Sequence, residues 1–302
     1  MIHATESENR VGVQMTIKAI LLPVTGQRQG PTAIEAGFHL AKQFTAHVSG
    51  LHVLPDPGAA VPYVSEGMSG DMIQQICNVA EKEGIARSKR AETLFNAIRE
   101  AQGIPLIDAP GDGQSVTASW KTLQGQEDLV IAAQSRNADI TVISQPGGDL
   151  GEEYITVLEG VLFQSGRPTL IIPRTRYTDF GSTVAIGWNG SVQASRAVAA
   201  AMPLLERSSK VVVMQAGTSH ENIPSAEDVA SYLGSHGLNA SAVRFTLEKE
   251  KIAPTLLSTA MDAGADLMVM GAFTHSRWRE MILGGVTRYM LDNAAIPILM
   301  SH

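Results

Sequence analysis

The sequence predicts an α/β protein with two tandem domains, each built on a doubly wound, five-stranded parallel sheet. Short apolar runs that suit buried parallel strands alternate with segments of helical periodicity. This order runs twice through the chain, and the length of 302 residues suits two domains of about 150 residues. Strands that alternate with helices favour a parallel sheet covered by helices on both faces.

The first half contains five apolar runs that we predict as strands. They are residues 17–24, 47–54, 104–108, 140–144 and 169–172. Helices are expected over residues 31–44, 71–102, 129–132 and 154–163. Pro31 suits the first turn of its helix, Gly84 could interrupt the long helix, and residues 109–126 are expected to form an irregular link.

The same order starts again after the polar, turn-rich segment 173–181. Strands are predicted at residues 184–188, 210–215, 240–245, 267–270 and 297–300. Helices are predicted over residues 192–205, 225–237, 253–263 and 284–293. Ser225 and Asp228 form a capping-box pattern, and Gly264 suits the end of a helix.

An internal repeat supports this division into two domains. Residues 20–26 match 184–190, residues 137–143 match 264–270, and residues 167–172 match 296–300. We therefore assign residues 16–175 to a first domain and 182–302 to a second. Residues 1–15 are expected to be a disordered leader, with Met15 as a possible start of the folded part.

Composition and charge exclude several classes of function. A net charge of −7 argues against nucleic acid or an anionic membrane as a general partner. The single cysteine, Cys77, excludes an internal disulfide or a thiolate metal cluster. No apolar run approaches the ~18 residues of a membrane span. We expect a soluble, cytoplasmic protein, and we predict no metal site because His39, His47 and His52 lack metal-ligand spacing with nearby acids.

The most informative stretch lies near the end of the chain. A buried strand ends at Gly271, a polar and basic loop follows, and Gly284-Gly285 begins a helix. A glycine-bearing helix start at the carboxyl end of a parallel strand presents free backbone N–H groups. This arrangement predicts an anion site, most often one for phosphate.

The residues of this stretch resemble the C-terminal signature of the universal stress protein family. Nucleotide-binding members carry G-x2-G-x9-G-[ST], and here the pattern is Gly271-x2-Thr274-x9-Gly284-Gly285. The spacing is intact, but Thr274 replaces a glycine and Gly285 replaces a serine or threonine. With its internal repeat, the chain is similar to a tandem universal stress protein, which implies that the two halves pack as a pseudo-dimer. Homodimerisation is left open.

The resemblance implies an adenine-nucleotide site in the second half. ATP or AMP is the candidate ligand, and Mg²⁺ could accompany ATP. The candidate contacts are Asn189, Gly190, Gly271, Thr274, His275, Arg277, Gly284, Gly285, Val286 and Thr287. ATP-binding relatives carry an aspartate where Asn189 and Thr25 stand, so neither half keeps that acid. Thr287 could supply the hydroxyl that Gly285 lacks.

The corresponding loop of the first half, residues 145–153, is acidic and lacks the glycine spacing. Asp149, Glu152 and Glu153 would repel phosphate at short range. We therefore interpret the first half as degenerate for nucleotide. Asp139 and Asp266 recur in the repeat, but they precede strands at the opposite edge of the sheet. We interpret them as local capping groups.

Three functions remain open from the sequence. The first is a regulatory protein that binds nucleotide without rapid chemistry. The second is slow ATP hydrolysis, with His275 or Thr287 orienting water, although the missing acid at Asn189 disfavours metal-assisted phosphoryl transfer. The third is a protein that binds no nucleotide and acts through dimerisation or another ligand.

Overall fold

A computed structural model describes most of the chain. The described residues are 16–26, 32–60, 69–108, 110–111, 113–147, 153–175, 179–217, 222–246, 252–272 and 285–302. The expected leader over 1–15 and the expected role of Pro31 lie outside these residues, as do Asp149 and Glu152 of the acidic loop.

Ten strands and eight α-helices alternate along the described residues. The strands are β1 (Ala19–Pro23), β2 (His47–Leu54), β3 (Thr117–Gln124), β4 (Ile140–Ser144), β5 (Thr169–Ile172), β6 (Thr183–Trp188), β7 (Lys210–Ala216), β8 (Ala240–Phe245), β9 (Leu267–Gly271) and β10 (Ile298–Ser301). The helices are α1 (Thr32–Phe44), α2 (Gly70–Ala101), α3 (Glu127–Ser135), α4 (Glu153–Gln164), α5 (Val192–Leu205), α6 (Ala226–Ser235), α7 (Ile252–Asp262) and α8 (Gly285–Asn293).

All ten strands belong to one sheet with the order β3-β2-β1-β4-β5-β10-β9-β6-β7-β8. Within each half the strands are parallel, and their order is that of a doubly wound fold. The halves meet where β5 pairs antiparallel with β10, with Leu170 opposite Leu299. The predicted α/β class is therefore confirmed, and the two half-sheets are continuous.

The third strand was predicted in the wrong place. Residues 104–108 form only an isolated bridge, between Leu106 and Ala118, and the strand that pairs with β2 is β3. The apolar-run rule missed β3 because it is an edge strand with exposed polar residues such as Lys121 and Thr122. Residues 109–126 are therefore not an irregular link throughout.

Gly84 does not interrupt the long helix. α2 is continuous over 32 residues, and Gly84 is buried within it. A Cβ on Gly84 would lie 3.6 Å from Leu54 Cδ2, which is an ordinary van der Waals distance, so the packing of α2 on β2 does not require glycine here. The capping box at the start of α6 is confirmed, with both the Ser225 and the Asp228 hydrogen bonds present.

Two apolar layers cover the two faces of the sheet. One is built by α1, α2, α5 and α6 and contains Phe38 and Phe95. The other is built by α3, α4, α7 and α8 and contains Leu158 and Met290. Both layers extend across both halves, so helices cover the sheet on each side as expected for this class.

The repeated aspartates are confirmed as local capping groups. Asp139 Oδ2 accepts hydrogen bonds from the backbone N–H groups of Lys18 and Ala19, at 2.7 and 2.9 Å. Asp266 accepts three backbone N–H bonds, from residues 181, 182 and 183, at 2.8 to 3.1 Å. In each half, one aspartate thus fixes the chain entering the first strand of that half.

Candidate functional site

The candidate site lies at the edge of the sheet where β6 and β9 end. Because β5 and β10 are antiparallel, the carboxyl ends of the first-half strands and those of the second-half strands lie at opposite edges. Each half therefore has its own ligand edge, and the second-half edge is the one for which the sequence predicts a nucleotide site.

Asn189 and Gly190 follow β6 and form the turn into α5. Asn189 Oδ1 accepts hydrogen bonds from the backbone N–H of Ser191 at 3.1 Å and from its hydroxyl at 2.7 Å. Ser191 Oγ in turn accepts from the backbone N–H of Ala194 at 3.1 Å and caps the helix. Gly190 has φ of 74° and is crowded by Ile223, so this turn favours glycine. Asn189 therefore shapes the helix start.

Gly271 ends β9 against the first turn of α5. A Cβ on Gly271 would lie 2.5 Å from the backbone N of Ala194 and 2.6 Å from the carbonyl carbon of Gln193. Glycine is thus required here for strand–helix packing. The close approach brings Asn189, Gly190 and Gly271 together around the start of α5.

Gly285, Val286 and Thr287 form the first turn of α8. Gly285 is exposed, and a Cβ placed on it would meet none of the residues that the structure describes within 4 Å. Val286 is half-buried, and Thr287 is only 4% exposed, among the buried residues of α8 that include Met290 and Leu291. α8 connects two parallel strands, so its N-terminus lies at the carboxyl edge.

The remaining predicted contacts lie outside the described residues. They are Thr274, His275, Arg277 and Gly284.

The opposite edge, in the first half, is covered by α2. Gly26, with φ of 68°, is packed against the backbone of Arg87, and Arg90 Nε donates to the Gly26 carbonyl at 3.4 Å. His52 is fully buried beside this turn and donates through Nδ1 to the carbonyl of Val24 at 2.7 Å. The helix and its two arginines occupy the region over the end of β1.

Two histidines of the first half are buried. Burial lowers the pKa of His52, with a further contribution from the Arg87 charge. Burial likewise lowers the pKa of His47, whose ring nitrogens bond to the hydroxyls of Thr117 and Ser119 at 2.8 and 2.9 Å. Both side chains belong to the core of the first half.

Gln145 joins the two halves, and sequence reasoning missed its role. It follows β4, is only 5% exposed, and donates through Nε2 to the carbonyls of Leu291 at 2.6 Å and Ala294 at 3.2 Å. The internal repeat held a signal, because Gln145 stands where the second half has Ala272. A polar residue at a buried strand end needs a partner, and here the partner is the end of α8.

The described residues contain no group of three or more His, Cys, Asp or Glu side chains placed to hold a metal ion. Among the same residues, no helix is both long and apolar enough to cross a membrane.

A comparison with protein-family models finds a match in the second half of the chain. Residues 183–302 match the model of the Universal stress protein family. No curated protein matches the sequence.

Solved structures resemble nearly the whole chain. A universal stress protein from Archaeoglobus fulgidus DSM 4304 has 16% identity and a TM-score of 0.62, over 94% of this chain and 97% of that chain. A functionally unknown protein from Pseudomonas aeruginosa PAO1 has 12% identity and a TM-score of 0.55, over 94% and 92%. The cytoplasmic domain of a prokaryotic cation chloride cotransporter has 12% identity and a TM-score of 0.51, over 94% and 95%. At these identities the likeness concerns the fold alone.

Proposed function

Because residues 183–302 belong to the universal stress protein family, we propose that the chain is a stress-response regulatory protein that binds an adenine nucleotide in its second half. The fold supplies a ligand edge in each half. The second-half edge carries the glycine-bearing motif spacing, whereas α2 covers the first-half edge.

The open helix start at Gly285 carries this proposal. Among the described residues, no atom lies within 4 Å of its Cβ position, so these residues leave room for an anion to approach the backbone N–H groups of α8 closely. Such N–H groups, together with the helix dipole, favour phosphate. At Gly271, in contrast, glycine is required because any Cβ would clash with the backbone of α5.

The ligand would be ATP or AMP, with its phosphates at the start of α8. Asn189 and Gly190 would lie beside the base or ribose at the end of β6. Thr274, His275, Arg277 and Gly284 complete the proposed contacts, and Mg²⁺ would accompany ATP. The capping role of Asn189 Oδ1 leaves the Asn189 Nδ2 group as the donor to the nucleotide.

Gly285→Val tests the proposal without disturbing the packing of the described residues. Gly70→Val is a matched control, because Gly70 also begins a helix and a Cβ there also meets nothing within 4 Å. In titration calorimetry with ATP and AMP, Gly285→Val should weaken binding at least about tenfold, a loss of about 1.4 kcal/mol. Gly70→Val should bind as the unmodified chain does. Equal binding by all three proteins would contradict a site at Gly285.

A further inference from the structure

The first half of α2 has a different environment from the second. The buried residues of this helix are Gly84, Ala91 and Phe95, which all lie in its later turns. Over residues 70–83 every side chain is exposed or half-buried. The helix therefore extends almost four turns before its first buried residue, Gly84.

These outer turns carry an apolar row that we call the α2 stripe, formed by Met72, Ile76 and Val79. Met72 is 52% exposed and Val79 is 57% exposed, and all three line one surface groove. Their spacing of four and three residues places them on one side of the helix, as in the seam of a coiled coil. Exposed apolar side chains in a row on one helix face are typical of an interaction surface.

The charges around the α2 stripe fit a second copy of the same helix in antiparallel orientation. In that arrangement Met72 lies opposite the second copy's Glu83, and Ile76 lies opposite its Val79. Each Glu83 carboxylate then lies beside the positive N-terminal end of the other helix. Each Lys82 lies near the other copy's Asp71.

A parallel pair would be disfavoured by the same charges. Equal residues would then face each other, so Glu83 would meet Glu83, and Lys82 would meet Lys82. Like charges at facing positions are unfavourable. The α2 stripe is thus self-complementary only under a two-fold axis, which is the symmetry of a closed homodimer.

We propose that two copies of this chain associate through antiparallel contact between their α2 stripes. The two-fold axis passes between Cys77 and Asn78, because residues 72 and 83, like 76 and 79, are equally distant from that point. The two Cys77 side chains then lie level with each other, on the same side of the helix pair. The contact is independent of nucleotide, because it lies on an outer helix of the first half.

Val79→Asp and Ile85→Asp form a matched pair for testing this contact. Ile85 is 58% exposed on the same helix, but it lies on the opposite side from the α2 stripe. Neither side chain is buried, so both variants should keep the fold, which circular dichroism checks. Analytical ultracentrifugation from about 1 to 100 μM covers the range expected for a contact of this kind.

The unmodified chain and Ile85→Asp should both dimerise, whereas Val79→Asp should raise the dimer dissociation constant at least about tenfold. Cys77 is the only cysteine, so a bifunctional maleimide should link two copies of the unmodified chain and fail to link Val79→Asp. A monomer at every concentration would overturn the proposal. So would a dimer that Val79→Asp leaves unchanged, because that dimer would use another surface.

Discussion

At the scale of single residues, two kinds of position decide the behaviour of this molecule: glycines that permit close approach and buried polar side chains. Gly271 and Gly285 both belong to the predicted motif, yet their surroundings differ. A Cβ on Gly271 would meet the backbone of α5, whereas a Cβ on Gly285 would meet none of the described residues. The motif spacing includes both glycines, and the packing separates a structural glycine from a candidate ligand contact.

Gly271→Ala should destabilise the protein by about 1–3 kcal/mol, because the added methyl overpacks the contact with Ala194. Gly285→Ala should change the free energy of unfolding by well under 1 kcal/mol, since its Cβ position is open. Urea unfolding of the two variants and the unmodified chain measures both effects. Equal stabilities for the two alanine variants would show that β9 does not need glycine at its end.

The buried histidines predict loss of stability in acid. The pKa values of His47 and His52 are lowered in the folded protein from the ordinary histidine value of 6.5. Below about pH 6.5 these histidines therefore bind protons more readily in the unfolded chain than in the folded protein. Their contribution is complete above about pH 6.5 and is lost as the pH falls toward the folded pKa. Each histidine adds at most about 1.4 kcal/mol per pH unit.

His52→Gln should flatten this dependence. Unfolding free energies at pH 7.5 and 5.5 should differ less for the variant than for the unmodified chain, because a glutamine side chain does not titrate. A substitution between side chains that do not titrate, Thr122→Gln at an exposed position of β3, serves as the control and should leave the dependence unchanged. An identical loss in all three proteins would rule out His52 as a source of acid sensitivity.

At the scale of elements, apolar runs and helical periodicity located nine of the ten strands, because those rules detect buried segments. The exception was β3, an edge strand in which apolar residues are interrupted by polar ones such as Lys121 and Thr122. The other edge strand, β8, was located because its apolar residues are less interrupted. The start of α6 was predicted from local sequence, since the reciprocal hydrogen bonds of the Ser225–Asp228 capping box involve only residues of the first turn. Beside this cap, Arg244 pairs with Glu227 at 2.6 and 2.7 Å and holds the Glu227 pKa at about 2.

Ser225→Ala should cost about 1 kcal/mol of stability through loss of the α6 cap. Hydrogen exchange should show faster exchange for the amides of the first turn of α6, including Asp228, whose N–H donates to Ser225 Oγ at 3.2 Å. Ser225→Thr should retain the cap and act as the conservative control. Unchanged exchange in the alanine variant would mean that the cap is not what orders this end of the helix.

At the scale of the whole molecule, the two halves are joined by sheet pairing, by the two apolar layers that extend across both of them, and by the buried polar side chain of Gln145. β5 and β10 pair across the centre, and Gln145 of the first half closes the end of α8 in the second. The sequence predicted the repeat and its packing as a pseudo-dimer. The repeat marks Gln145 as a polar residue where the second half has Ala272, but the sequence could not predict its partner, because a contact between residues 145 and 291 depends on how the two halves pack.

Gln145→Leu should destabilise the protein by about 1–3 kcal/mol, because it leaves carbonyl groups of Leu291 and Ala294 without this donor. The effect should appear in both halves when unfolding is followed by hydrogen exchange, since the bond links them. Thr122→Leu, at an exposed position of β3, controls for an added leucine and should have little effect. A loss confined to residues near 145 would contradict a joining role.

The proposal that the second half binds an adenine nucleotide has a direct test. Freshly purified chain is denatured, and mass spectrometry identifies and quantifies any nucleotide released. The account predicts ATP or AMP at up to one per chain from the unmodified protein and from Gly70→Val, with a strong reduction in Gly285→Val. No nucleotide released from any of the three, together with no heat on titration with millimolar ATP or AMP, would contradict the account.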